Sequence, residues 1–216
     1  MRHRVASFVA AVFISFLLGF LLTAPPARAA ETAESFVTAN VEKGTAILND
    51  TTLSDGERQE RFRTFVLSLT DVKRVAIFTL GPYARGESGS QLDDYVHAFT
   101  DYLAAVYERG LAKYSGQTIR VTGSVARSDN DNVVNAEIIG KDTNYPPLRI
   151  AFRVRKSDAG FVVTDLQIEG VWLALNQRAD FAAYLQRHSG DIGTLSQELK
   201  LRAGQIRLGA GTSPAA

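Results

Sequence analysis

The sequence predicts an α+β fold: a small antiparallel sheet of about four strands, wrapped by N- and C-terminal helices around an apolar pocket. Three observations predict it. Apolar residues recur with a helical period up to about residue 114. They then alternate with a period of two over about 119–168, and the helical period returns after Trp172.

The first helix is expected over about 33–50, where Phe36, Val37, Val41, Ile47 and Leu48 fall on one face. Ser54-Asp55-Gly56-Glu57 reads as a capping box opening a helix over about 55–69, with Phe62, Phe65, Val66 and Leu69 inward. A third helix, about 71–80, carries Val72, Val75, Ala76, Phe78 and Leu80. Gly81-Pro82 stops it, since glycine permits a left-handed cap and proline cannot extend the ladder. The longest helix, about 90–114, aligns Leu92, Val96, Phe99, Leu103, Val106 and Tyr107 on one stripe.

Four alternating runs follow, about 119–125, 134–138, 148–154 and 161–168. Short loops join them, which predicts an antiparallel meander with one polar face. Its apolar face needs cover, and only the helices can supply it. Two more helices are expected near 177–188 and 192–203.

At the N-terminus, Met1-Arg2-His3-Arg4 is basic and Val5 to Leu22 is an uncharged apolar run. Pro25-Pro26 and Ala27-Arg28-Ala29 follow, the pattern of a secretory signal peptide over 1–29 cleaved after Ala29. The run is long enough to be a retained membrane anchor, but the prolines and the small-x-small site favour cleavage. No linker or repeat divides residues 30–205, which read as one domain; the tail over 206–216 is expected to be disordered.

The leader holds three of the 24 basic residues and none of the 23 acidic ones, leaving 21 against 23. That balance gives no attraction to nucleic acid. The chain has no cysteine, which removes disulfides, thiol catalysis and lipidation at a cleavage point.

Signals of catalysis are weak. His97 lies between Asp93 and Asp101 at i±4 spacing, but on a polar helical face, where a solvated ion-pair surface is expected rather than a metal site. His188 suits the C-terminal end of a helix dipole. Gly86-Glu87-Ser88-Gly89-Ser90 lacks nucleophile-elbow spacing and a preceding strand. Asp165 is the one inward candidate for acid–base chemistry, and capping or pairing with an arginine is the simpler expectation. Arg149, Arg153, Arg155 and Lys156 make a basic stripe suited to solvent, to phospholipid headgroups or to an acidic partner.

Three stretches carry a family resemblance. Asp71 to Arg85 (DVKRVAIFTLGPYAR) is similar to an FDV…IAxFxLGxYWR segment. Tyr102-Leu103 through Tyr107 leads into Tyr114-Ser115-Gly116. Val163 to Trp172 (VTDLQIEGVW), with Asn176-Gln177-Arg178 and Phe181, is similar to VxDxxxEGVSL…NxRxxF. In their order and spacing they resemble the MlaC family, also called the toluene-tolerance auxiliary family.

The resemblance implies a periplasmic phospholipid carrier that needs no cofactor and acts as a monomer. It would exchange lipid between an outer-membrane lipoprotein–porin complex and an inner-membrane ABC lipid transporter with its substrate-binding membrane subunit. That traffic would maintain envelope lipid asymmetry. Under it, the pocket lining falls to Phe78, Leu80, Tyr83, Phe99, Leu103, Tyr107, Phe152, Val154, Val163, Trp172, Leu175 and Phe181. Pro82 and Ala84 stand where the family has arginine and tryptophan, and Trp172 where serine is common. These departures keep a hopanoid-type lipid as an alternative ligand. A small-molecule enzyme and a structural envelope adaptor with a filled core are the other readings.

Overall fold

The computed structural model of the protein describes residues 31–111, 114–142 and 144–209. The leader over 1–29, its cleavage point and the tail beyond Gly209 lie outside the described residues.

Among the described residues four helices come first: α1 (Ala33–Leu48), α2 (Asp55–Ser68), α3 (Val72–Leu80) and α4 (Gly89–Leu111). The sheet follows, with β1 (Thr118–Ser128), β2 (Asp131–Ile139), β3 (Leu148–Ser157), β4 (Gly160–Ile168) and β5 (Val171–Trp172). Two helices close the described chain, α5 (Leu173–Arg187) and α6 (Ile192–Arg207). The architecture is therefore α+β, as the periodicity predicts.

Local chemistry sets most helix starts. Thr32 and Ser35 cap α1 reciprocally, and Ser54 and Glu57 do the same for α2. At α2 the Glu57 N–H donates to Ser54 Oγ at 3.3 Å, and the Ser54 N–H donates to Glu57 Oε2 at 2.9 Å. Each such cap is worth about 1 kcal/mol. Asp71 caps α3 and Asp191 caps α6. Gly81 ends α3 at φ 58°, ψ −127°, a conformation reserved for glycine, and an added Cβ there would meet the Arg178 guanidinium at 3.0 Å.

The sheet is an antiparallel meander in the order β1-β2-β3-β4-β5. Opposed pairs such as Ile119–Ile138, Val134–Phe152 and Phe152–Leu166 place the apolar set on one face. β5 was not expected: Glu169-Gly170, both at positive φ, form a two-residue turn that folds Val171 back onto Ile168.

α5 begins at Leu173, four residues before the start the sequence suggested. Its N-terminal Trp172 offers no side-chain cap. Asp165 of β4 supplies one instead, accepting from the Ala174 N–H at 2.8 Å. A cap delivered from another strand leaves no local sequence signal.

Candidate functional site

Among the described residues, most of the large buried apolar side chains fall into two clusters. The helical cluster joins Leu80 of α3, Tyr95 and Phe99 of α4, Phe181 and Leu185 of α5, and Leu195 of α6. Phe181 meets Tyr95 and Phe99 edge-on, each with ring centroids 6.4 Å apart, so this region is packed with protein side chains. The sheet cluster seats Ala33 and Val37 of α1 on Val134 and Val154.

A layer of half-buried apolar side chains stands outside both clusters. α2 contributes Phe62, Phe65, Val66 and Leu67, its C-cap adds Leu69, and the helix has no fully buried residue at all. β4 is half-buried along its length; Phe161 packs on the sheet cluster, while Val163, Leu166 and Ile168 belong to neither. Ile119, Ile138 and Tyr107 are half-buried likewise.

The elements carrying this layer are tied together. Phe62 and Phe65 lie against buried Gly44 of α1, and α2 also packs on α4. The Val163 N–H donates to the Leu69 carbonyl at 2.8 Å, fixing the end of α2 to β4. A single-domain core normally forms one contiguous cluster. Here Phe62, Phe65, Val66, Leu67 and Leu69 belong to neither cluster and keep part of their apolar surface exposed.

The twelve residues expected to line a pocket divide into four groups. Leu80, Phe99 and Phe181 are buried inside the helical cluster, and Val154 inside the sheet cluster. Tyr83 and Leu103 pack on the former, Phe152 on the latter. Tyr107, Val163 and Trp172 are half-buried. Phe78 and Leu175 are exposed, with the Arg178 guanidinium lying 4.9 Å from the Phe78 ring centroid. The structure adds α2, whose aromatic pair the periodicity marked as inward but assigned no role.

The polar groups near this layer serve structure. Asp165 Oδ1 accepts from the Leu166 and Ala174 N–H groups, both at 2.8 Å. Burial raises the Asp165 pKa, and those backbone donors oppose the rise. Burial, with the Asp165 charge as a lesser cause, pushes the Tyr107 hydroxyl up to about 12. The Asp93–His97–Asp101 face does not act as a unit: Asp93 pairs with Lys73 at 3.3 Å and Asp101 with Arg207 at 2.7 Å. Among the described residues no cluster of His, Cys, Asp or Glu could hold a metal ion, and no helix is long and apolar enough to cross a membrane.

The family model of the MlaC protein matches residues 38–201. The chain belongs to the MlaC family. Among solved structures, this MlaC chain is similar to a phospholipid-binding protein from Ralstonia solanacearum, determined in complex with a phospholipid. The two are 25% identical with a TM-score of 0.71, over 82% of this chain and 99% of that one. Among curated proteins, none matches the chain. The matched span runs from α1 into α6 and takes in Val134 and Val154 of the sheet cluster and the half-buried side chains of α2 and β4.

Proposed function

We propose that this MlaC protein is a periplasmic phospholipid carrier, not an enzyme, and that acyl chains lie against the half-buried apolar side chains of α2 and β4. The observation that carries the reading is α2 with its C-cap: two phenylalanines and Val66, Leu67 and Leu69, none of them fully buried. The likeness to a phospholipid-bound structure supports it. In this arrangement the twelve residues split in role. Leu103, Tyr107, Phe152, Val163 and Trp172 touch lipid together with Phe62, Phe65 and Leu69. Leu80, Phe99, Phe181 and Val154 form the packed walls behind them, and Phe78, Tyr83 and Leu175 lie at the rim.

Such a carrier needs no catalytic group. Withdrawing one CH₂ from water is worth about 0.8 kcal/mol, and leaving a bilayer costs nearly as much. Transfer is thus close to balanced, and direction comes from partners. In this proposal those are an inner-membrane ABC lipid transporter with its membrane-anchored subunit and an outer-membrane lipoprotein–porin complex, and the traffic maintains lipid asymmetry. The leader over 1–29 delivers the chain to that compartment.

Native mass spectrometry of protein purified from the periplasm without detergent tests the reading. The expected result is a co-purified phospholipid, lost when Phe65 is replaced by aspartate in a still-folded protein. A pentacyclic lipid in its place would favour the hopanoid-type alternative. A folded, ligand-free chain that takes up no lipid from vesicles would overturn the proposal.

A further inference from the structure

Of the four cations in the basic stripe on β3, two are neutralised. Arg149 pairs with Glu169 at 3.2 Å, and Arg153 grips Asp131 at 2.6 Å. Arg155 reaches the same carboxylate only at 3.5 Å, and Lys156 rests 5.7 Å from the Phe161 ring centroid. Those two line a groove of about 480 Å³, which Arg74 of α3 completes from the other side. No carboxylate partner for Arg74 occurs among the described residues.

The groove has the composition of an anion site. Its floor comes from two turns at one end of the sheet, brought together by the Lys156 N–H donating to the Asn130 carbonyl at 3.0 Å. Thr70, Ser128 and Ser157 add hydroxyl groups around it. Its two carboxylates are already engaged: Asp131 by Arg153, and Asp71 by the Arg74 N–H at 3.0 Å as the cap of α3. Asp129 and Asp158 sit in the two turns but do not line the groove. Three cations therefore face a concave surface without a full set of counter-charges, an arrangement suited to phosphate oxygens.

Its position matters. Thr70 follows Leu69, and Val162 precedes Val163, so the groove adjoins the end of the half-buried layer where α2 meets β4. We infer that this groove binds a phosphate group through Arg74, Arg155 and Lys156. The phosphate belongs either to the headgroup of a lipid whose chains lie in the adjoining layer or to free inorganic phosphate. Only the headgroup assignment rests on the carrier reading.

Two measurements on the purified, delipidated protein separate these sources. The first titrates inorganic phosphate and follows the arginine side-chain NMR signals. Saturable shifts of Arg74 and Arg155 are expected, weakened about fivefold or more in Arg74→Gln and in Arg155→Gln. The second compares retention of dioleoyl phosphatidylglycerol with that of dioleoylglycerol, which has the same chains and no phosphate. Wild type should favour the phosphate-bearing lipid about tenfold at low salt, and the Arg74→Gln, Lys156→Gln double variant should lose most of that preference. Retention of dioleoylglycerol should be unchanged, which also shows that the variant is folded. Phosphate binding without lipid discrimination supports a free-phosphate site. Absence of both, with variants matching wild type, overturns the inference. Failure to retain either lipid sinks the carrier reading instead, and the phosphate titration still decides the groove.

Discussion

Arg153 and Asp131 are diagonal neighbours across the β2–β3 pair, joined by Nε–Oδ1 at 3.0 Å and Nη2–Oδ2 at 2.6 Å. Arg155, directly opposite Asp131 in the register, is left with the longer contact at 3.5 Å. The bidentate geometry favours the diagonal residue, because a planar guanidinium gains two charge-assisted bonds at once. The carboxylate is 9% exposed, so this pair is more than a surface ornament.

Replacing Asp131 by asparagine is expected to cost about 1–3 kcal/mol, less than a fully buried pair because Arg153 remains partly solvated. Urea denaturation at pH 7 measures it. The hydrogen bonds from Arg153 hold the Asp131 pKa below its ordinary value. Its stabilising contribution is therefore complete above about pH 4 and lost as pH falls through the lowered value. The gap between variant and wild type should close in acid; a gap constant with pH would show that charge is not its origin.

The buried hydroxyl pair in the helical cluster makes a second test. Thr79 Oγ1 donates to the Ala76 carbonyl at 2.7 Å, so the Tyr95 hydroxyl, also 2.7 Å away, must be the donor to Thr79. Burial raises the Tyr95 pKa well above the usual phenol range. Thr79→Val strands that hydroxyl and should cost about 1–3 kcal/mol. Thr79→Ser should recover most of the loss in the same thermal melts.

Trp172 discriminates between core and ligand surface. It is half-buried where β5 passes into α5. Trp172→Ala should keep near-normal circular dichroism, lose less than the ~3–5 kcal/mol of a fully buried tryptophan, and retain less phospholipid. Delipidation of the wild type should shift its emission, the chain having one tryptophan. Identical spectra with and without lipid, together with an unfolded variant, would make it a core residue.

His97 is exposed on α4, and its acidic neighbours are paired elsewhere. His97→Ala should change stability by no more than about 0.5 kcal/mol and leave lipid retention intact. A large effect on either would restore a chemical role for that face.

The sequence by itself determined the order of elements, because the period of apolar residues reports which face of a helix or strand turns inward. It also located the Ser54–Glu57 cap and the Gly81 stop, whose donors and acceptors lie within a few residues of each other. Tertiary structure alone decided where α5 begins, since Asp165 caps it from β4. It alone showed that Arg149 and Arg153 hold the shorter ion pairs, while Arg155 reaches Asp131 only at 3.5 Å as its second partner. And it separated Phe99 and Phe181, locked in a filled core, from Phe62 and Phe65, left half-buried. Periodicity gives the direction a side chain faces. Whether that direction ends on another side chain or on unfilled space depends on how far apart the packed elements stand, a distance set by contacts remote in the chain.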